Sequence, residues 1–298
     1  MDDILIIENF SQFNTLRGYK TLHPLANVVD LSKSKPIQNA RVHIDTYSVA
    51  LKEAVCGDLK YGCNYYDYQE GTLVFMAPGQ VIGINNDIDN FHPKGWGLFF
   101  HPDLIRGTSL GRNIKEYTFF SYSSNEALHI SEREKQIILD GLKKIEYELN
   151  QSIDKHSKKL IVNNIELLLN YCMRFYDRQF ITRSDINKDI LVRFENLLDD
   201  YLKSGMTQTL GLPTVKYCAD QLHLSPNYFG DLIKKETGKT ALDHIQLKLI
   251  DIAKERIFDT SKSISEIAYE LGFKHPQHFS RMFKNETGQT PNEYRSLN

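Results

Sequence analysis

The segment LSPNYFGDLIKKETGKT (224–240) returns fifty residues later as KHPQHFSRMFKNETGQT (274–290). At that offset Pro226/Pro276, Phe229/Phe279, Lys234/Lys284, Glu236/Glu286, Thr237/Thr287, Gly238/Gly288 and Thr240/Thr290 coincide. Just upstream, Ala219/Ala268 and Leu222/Leu271 coincide at an offset of 49, so the one-residue slip falls at Leu-His-Leu against Leu-Gly-Phe-Lys. A repeat of this length makes each copy one supersecondary unit, and an insertion belongs in its turn. Both copies read as two short helices around a tight turn. In the first, Val215, Cys218, Ala219 and Leu222 share one helix face, and Leu224 packs inward after the turn. Ser225 then caps a second helix with Pro226 in its first turn. Phe229, Leu232 and Ile233 are its buried stripe, and Gly238 stops it. In the second copy Ser263 and Glu266 form a capping box, Gly272 makes the turn, Pro276 opens the second helix and Gly288 ends it.

Between the copies, TALDHIQLKLIDIAKERIFDT (240–260) reads as one helix of about 18 residues, or about 27 Å. Thr240 and Asp243 cap it; Leu242, Ile245, Leu249, Ile252, Ala253 and Ile257 run along one side. It would hold the copies at a fixed separation. A turn of B-DNA advances about 34 Å, so two such second helices can enter successive major grooves.

The 298 residues predict two domains. Residues 1 to about 125 hold short β-branched and aromatic runs between turn signals: 42–51, 64–69, 71–84, 95–100 and 116–123. That pattern suggests an all-β barrel or jelly roll. Over 131–180 the period becomes helical, through Ile137, Ile138, Leu142, Ile145 and Leu149, then Leu160, Ile161, Ile165, Leu168, Leu169, Cys172 and Phe175. Ser131 and Glu134 cap the first of these helices, and QSIDKH closes an antiparallel hairpin that covers the β domain or pairs with another chain. The polar stretch 181–188 is the expected linker, and from 189 onward all reads as short helices. The expected class is thus α+β and multidomain: a β barrel with a helical hairpin (1–180), then an all-α part (189–298) with helix-turn-helix units at about 213–238 and 263–288.

The 36 Lys and Arg against 38 Asp and Glu exclude coating of nucleic acid or membrane by bulk charge, though not a local basic face. No apolar run approaches a membrane span, and the acidic start MDDILIIENF has no signal-peptide pattern. Cys56, Cys63, Cys172 and Cys218 form no C-x-x-C, which points to reduced thiols in a cytoplasmic protein.

With YFGDLIKKETGKT and ISEIAYELGFKHPQHFSRMFKNETGQTPNEYR in place, the chain resembles the AraC/XylS family of bacterial transcription regulators over about 190–298. The segments YDYQEGTLVFMAPGQ, GWGLFFHPDLI and RFYDRQFITR are similar to a branch in which a cupin-like domain and a helical hairpin come first. The resemblance implies a sequence-specific regulator, with activation the commoner mode. Its implied partners are double-stranded promoter DNA, RNA polymerase and a second copy of the chain, with room for a small-molecule effector in the N-terminal domain. No cofactor or metal is implied. Two departures stand out: Leu249 replaces the usual arginine of the linking helix, with Lys248 beside it, and the first recognition helix carries Gly230 and Asp231.

The buried stripes leave Asn227, Tyr228, Asp231 and Lys234 outward on the first second-helix, and Gln277, His278, Ser280, Arg281 and Lys284 on the other. Gln bonds adenine in two places, Arg bonds guanine O6 and N7, and Asp accepts from cytosine N4. The terminal lysines, Lys234, Lys235 and Lys284, suit phosphates, and Ser225 sits at the helix start. Residues 189–298 carry 14 Lys and Arg against 15 Asp and Glu, a net of −1. Yet 274–290 holds Lys274, Arg281 and Lys284 against Glu286 alone, a net of +2. The charge is therefore sorted onto the recognition segment.

Two constellations in the β region compete for attention. Tyr47, Tyr66, Phe75 and Trp96 are candidate lining of an effector pocket, with core packing as the alternative. His43, His92 and His101 could suggest a metal-dependent cupin enzyme fused to a DNA-binding module, but the His-x-His pair of such sites is absent. No nucleophile–base set and no phosphate-binding Gly-rich loop occurs, so the chain is expected not to be an enzyme.

Overall fold

The structure, a computed structural model, describes residues 4–7, 9–35, 40–52, 71–84 and 94–297. The chain divides into two compact units, Met1–Thr182 and Arg183–Asn298.

The first unit runs β1 (Ile4–Ile7), α1 (Phe10–Arg17), β2 (Ala26–Asp30), β3 (Ala40–Ile44), β4 (Tyr47–Lys52), β5 (Gly71–Met76), β6 (Val81–Ile84), β7 (Gly95–Phe100), α2 (Pro102–Ile105), α3 (Ser109–Asn113), β8 (Leu128–Ile130), α4 (Glu132–Leu149) and α5 (Ser157–Thr182). Among the described residues, β2-β7-β4-β5-β8 form an antiparallel sheet, and β1-β3-β6 a second in which β1 is parallel to β3. Register sorts the side chains, because directly paired residues share a face. Val49 pairs with Phe75 and Leu98, and Leu51 pairs with Leu73 and Trp96. Together with Phe100, Leu128 and Ile130, the aliphatic and Phe side chains of this face are at most 5% exposed. The hairpin covers it: Tyr176 of α5 meets Phe75 with ring centroids 5.9 Å apart. On the opposite face Phe99 packs on Phe13 of α1 at 5.0 Å, in a cluster with Ile7, Phe10 and Val29.

The hairpin is tied at its open end. Ser131 and Glu134 exchange bonds as a capping box, and Glu134 also accepts from Arg178 Nε at 2.9 Å. Arg178 Nη2 donates to the His129 carbonyl at 2.6 Å, so one guanidinium joins α4, α5 and β8. Ile138, Leu142, Ile145 and Leu149 are buried against Ile161, Ile165, Leu168 and Leu169, whereas Leu160, expected in that stripe, is exposed.

Three expectations need correction. Residues 116–123 form 3₁₀ turns rather than a strand. Adjacent Phe119 and Phe120 both contact Phe75, at 4.4 and 5.8 Å, and a pleated strand would have sent them to opposite faces. Helix α1 lies within the segment read as strands; Asn9 caps it by accepting from Gln12 N–H at 2.9 Å, and Gly18, at φ 79°, ends it. The stretch 181–188, the expected linker, contains the boundary between the two units but is helical on both sides of it. Arg183 alone separates α5 from α6 (Ser184–Lys203), whose buried face begins with the polar Asn187 and so hides its period. The strand expected at 64–69, together with Cys56, Cys63, Tyr66 and His92, lies outside the described residues.

The second unit continues with α7 (Met206–Leu210), α8 (Val215–Gln221), α9 (Pro226–Thr237), α10 (Ala241–Ile257), α11 (Ile264–Glu270), α12 (Pro276–Thr287) and α13 (Pro291–Leu297). No described helix is long and apolar enough to cross a membrane.

Candidate nucleic-acid interface

Helices α8 and α9 form one pair and α11 and α12 another, each closed by the same backbone bond: Leu224 N–H to Ala219 O, and Phe273 N–H to Ala268 O, both 3.0 Å. The turn needs a left-handed residue, which is His223 (φ 58°) in the first pair and Gly272 (φ 94°) in the second. A histidine tolerates this region at some strain; a glycine does so freely. The caps follow the sequence. Ser225 accepts from Tyr228 N–H at 3.3 Å, Pro226 and Pro276 open α9 and α12, and left-handed Gly238 and Gly288 close them. The entry to α12 differs, because its cap residue His275 makes no side-chain cap bond.

Burial defines the inner faces. Phe229, Leu232 and Ile233 of α9 are buried, with Phe229 edge-on to Phe194 of α6 at 5.0 Å. Phe279 and Phe283 of α12 sit in a core with Ile250, Ala253, Ile257, Ile267, Ala268, Leu271 and Phe273. Helix α10 serves both: Thr240 and Asp243 cap it reciprocally, and Ile245, Leu249, Ile250, Ala253 and Ile257 are buried. The hydroxyl and amide of Thr240 hold the Asp243 carboxyl below the usual carboxylate range. Leu242, expected in the stripe, is 50% exposed, and Ala241 takes the buried place in that turn.

The outward faces come out unequal. On α9, Asn227, Lys234 and Lys235 are exposed and Asp231 is partly so. Tyr228 is only 4% exposed, which removes it from the outward set. Here α6 packs beside α8 and widens the buried face of α9 past its apolar stripe. Ser225 is also buried, as the cap. On α12, Gln277, His278, Arg281 and Lys284 are all exposed and Ser280 is partly so. The His278 ring stands edge-on to His275 at 5.4 Å, and Lys274 is exposed beside them. Arg281 has no ion-pair partner among the described residues. At the place of the family arginine, Leu249 faces the core, while Lys248 bonds Asp199 of α6 at 2.5 Å. That contact draws the Asp199 carboxyl down and the Lys248 ammonium up from their ordinary ranges.

The other candidate residues lie elsewhere in the fold. Tyr47, Phe75 and Trp96 project from the sheet face that the hairpin covers, because Tyr47 pairs with Phe100 and Phe75 with Val49. Tyr47 meets Phe100 and Phe120 at 5.1 and 4.9 Å, and Phe75 meets Phe119 at 4.4 Å, so both belong to an aromatic cluster on that face. His43 lies on β3, and His101 caps α2 by accepting from Asp103 N–H at 3.2 Å. Among the described residues no three His, Cys, Asp or Glu side chains converge as metal ligands would. Burial pushes the thiols of Cys172 and Cys218 up, the latter to about 11, which leaves neither nucleophilic near neutrality.

Sequence reasoning missed Tyr201, Thr207 and Arg295. Arg295 of α13 donates from Nε to the Ile257 carbonyl at 2.6 Å and from Nη2 to Asp259 O at 3.3 Å, tying α13 to the end of α10. Nothing local marks such long-range bonds.

A family model described as a helix-turn-helix domain matches residues 218–296. The bifunctional transcriptional activator/DNA repair enzyme AdaA of Bacillus subtilis is 32% identical over 102 residues, covering 34% of this chain and 47% of AdaA. The transposon Tn10 TetD protein of Escherichia coli is 34% identical over 144 residues, covering 48% of this chain and 91% of TetD. A solved regulator with an AraC-type DNA-binding domain, from Chromobacterium violaceum, is 22% identical over 37% of this chain and 91% of its own, with a TM-score of 0.32. The chain spans less than half the length of AdaA and of several other curated relatives. Two capped helix pairs on one linking helix, the domain match across them and the near-complete span of TetD lead to one conclusion: the chain belongs to the AraC family of helix-turn-helix transcriptional regulators.

Proposed function

We propose that the chain is a sequence-specific activator that reads double-stranded promoter DNA with two helix-turn-helix units, α9 and α12 entering successive major grooves. The carrying observation is the pair of outward polar faces on α9 and α12, each helix capped at its start or end by equivalent residues and both packed on α10. At 17 residues α10 is about 26 Å long, on the scale of one B-DNA turn. Arg281 and Gln277 read bases. Asn227 and Asp231 make the lesser contribution of the first unit, and Lys234, Lys235 and Lys284 sit at phosphates, with His278 and Ser280 between. Activation is supported by the similarity to AdaA, a transcriptional activator, and RNA polymerase is the partner that this mode would need. Competition footprinting of the full chain on genomic fragments should protect a site of roughly 20 base pairs, two major-groove turns. Run-off transcription from that fragment should rise. No protected site removes the reading, and a fall in transcript makes the chain a repressor.

The N-terminal unit is proposed to sense an effector or to pair two copies. For pairing, the hairpin exposes Leu160 and Leu167 on α5 and Tyr147 on α4. Sedimentation of the full chain at micromolar concentration should then show a homodimer, and a monomer with and without DNA removes the pairing.

A further inference from the structure

The helix pairs of the second unit are joined twice, once by α10 and once by the segment between α6 and α8. On one side this segment is held to the first pair. Tyr201 of α6 is buried, its ring stands edge-on to Tyr217 of α8 at 5.1 Å, and its hydroxyl donates to the Gly211 carbonyl at 3.0 Å. On the other side it is held to the turn of the second pair. Buried Thr207 donates its hydroxyl to the carbonyl of Glu270, the last residue of α11, at 2.8 Å. Gly272 lies so close that a Cβ there would stand 2.8 Å from Thr207 O and 3.0 Å from the Gly211 carbonyl carbon. Leu212 packs against the core of the second pair. In the turn of the first pair the left-handed place is filled by His223, an exposed side chain, rather than by glycine.

A single connecting helix leaves the second pair free to twist and bend about that helix. A second contact, away from the α10 axis, removes that freedom. We propose that Thr207, Gly211 and Leu212, seated on Gly272 and anchored by Tyr201, form a brace that fixes the separation and phase of α9 and α12. The brace thereby makes the protein selective for the spacing of its two half-sites. These are positioning residues, since none of them lies on an outward face of α9 or α12. The proposal rests on the two-unit reading above.

The test compares wild type with Thr207→Val/Tyr201→Phe, which keeps shape and removes both hydrogen bonds. Affinity is measured on the footprinted site and on versions with one base pair added or removed between its halves. One base pair turns the second half-site by roughly 35° about the DNA axis. The wild type should lose about tenfold or more on the altered sites, and the variant about threefold or less. A Thr207→Ser chain, which keeps the hydroxyl, should behave as wild type. If the variant keeps the wild-type ratio, or loses affinity equally on all three sites, the brace does not set spacing. If the double variant fails to fold, Thr207→Val alone carries the same comparison with the same outcomes. A wild type that binds a specific site but tolerates both spacings overturns the brace alone, while a wild type without any specific site overturns the two-unit reading with it.

Discussion

Replacing Phe279 by alanine should unfold the second helix pair within the working temperature range and abolish specific DNA binding. The ring is fully buried, 5.4 Å from Phe273 and 5.7 Å from Phe283, at the centre of a core drawn from α10, α11 and α12. Removing a buried phenyl group loses its transfer free energy and leaves a cavity, together about 3–5 kcal/mol. Against a total of about 5–15 kcal/mol for a domain, that is a large fraction. For a unit of this size the midpoint should fall on the order of 15 °C, read by circular dichroism on the full chain. Leu242→Ala is the matched control, because that side chain is half exposed and should shift stability by about 0.5 kcal/mol at most. A Phe279→Ala midpoint within a few degrees of wild type would mean the core of the second pair is not sealed as described.

Arg281→Ala should leave the fold intact and relax reading at one base pair. Arg281 is exposed on α12 and has no ion-pair partner among the described residues, so its guanidinium can meet a base edge without first breaking a protein contact. A two-point bond to guanine is worth about 1–3 kcal/mol of discrimination. The measurement is affinity on a panel of operators with each base pair replaced in turn. Preference should vanish at one position and persist at the rest. A uniform loss over the panel, with a shallower salt dependence, would instead make Arg281 a phosphate contact.

What the sequence made legible was local. Caps and stops act over three or four residues, so Ser225 with Pro226, Thr240 with Asp243, Ser263 with Glu266 and the closing Gly238 and Gly288 could all be read off the chain, and each does its expected work. Illegible features depend on what a residue meets from far away. Tyr228 looked outward until α6 was placed beside α9. Phe119 and Phe120 looked like strand residues until both turned toward Phe75. Which face Tyr47 and Phe75 share could not be read from composition, which carries no record of strand register; register puts them on the face under the hairpin. Of the outward set on α12, every member is at least partly exposed, and α13 meets that helix on its inner side through Tyr294 and Phe283.

The repeat has a last consequence. Its framework is shared between the copies, in Pro226/Pro276, Phe229/Phe279 and Gly238/Gly288, while its outward residues are not: Asn227 stands where the other copy has Gln277, and Asp231 where it has Arg281. An acid and a base at the same place on two reading heads ask for different nucleotides. On the proposed reading, the site of one chain is therefore no palindrome and has a left and a right. A bound chain points along the promoter, and the same site inverted presents the opposite end of the protein to the start of transcription.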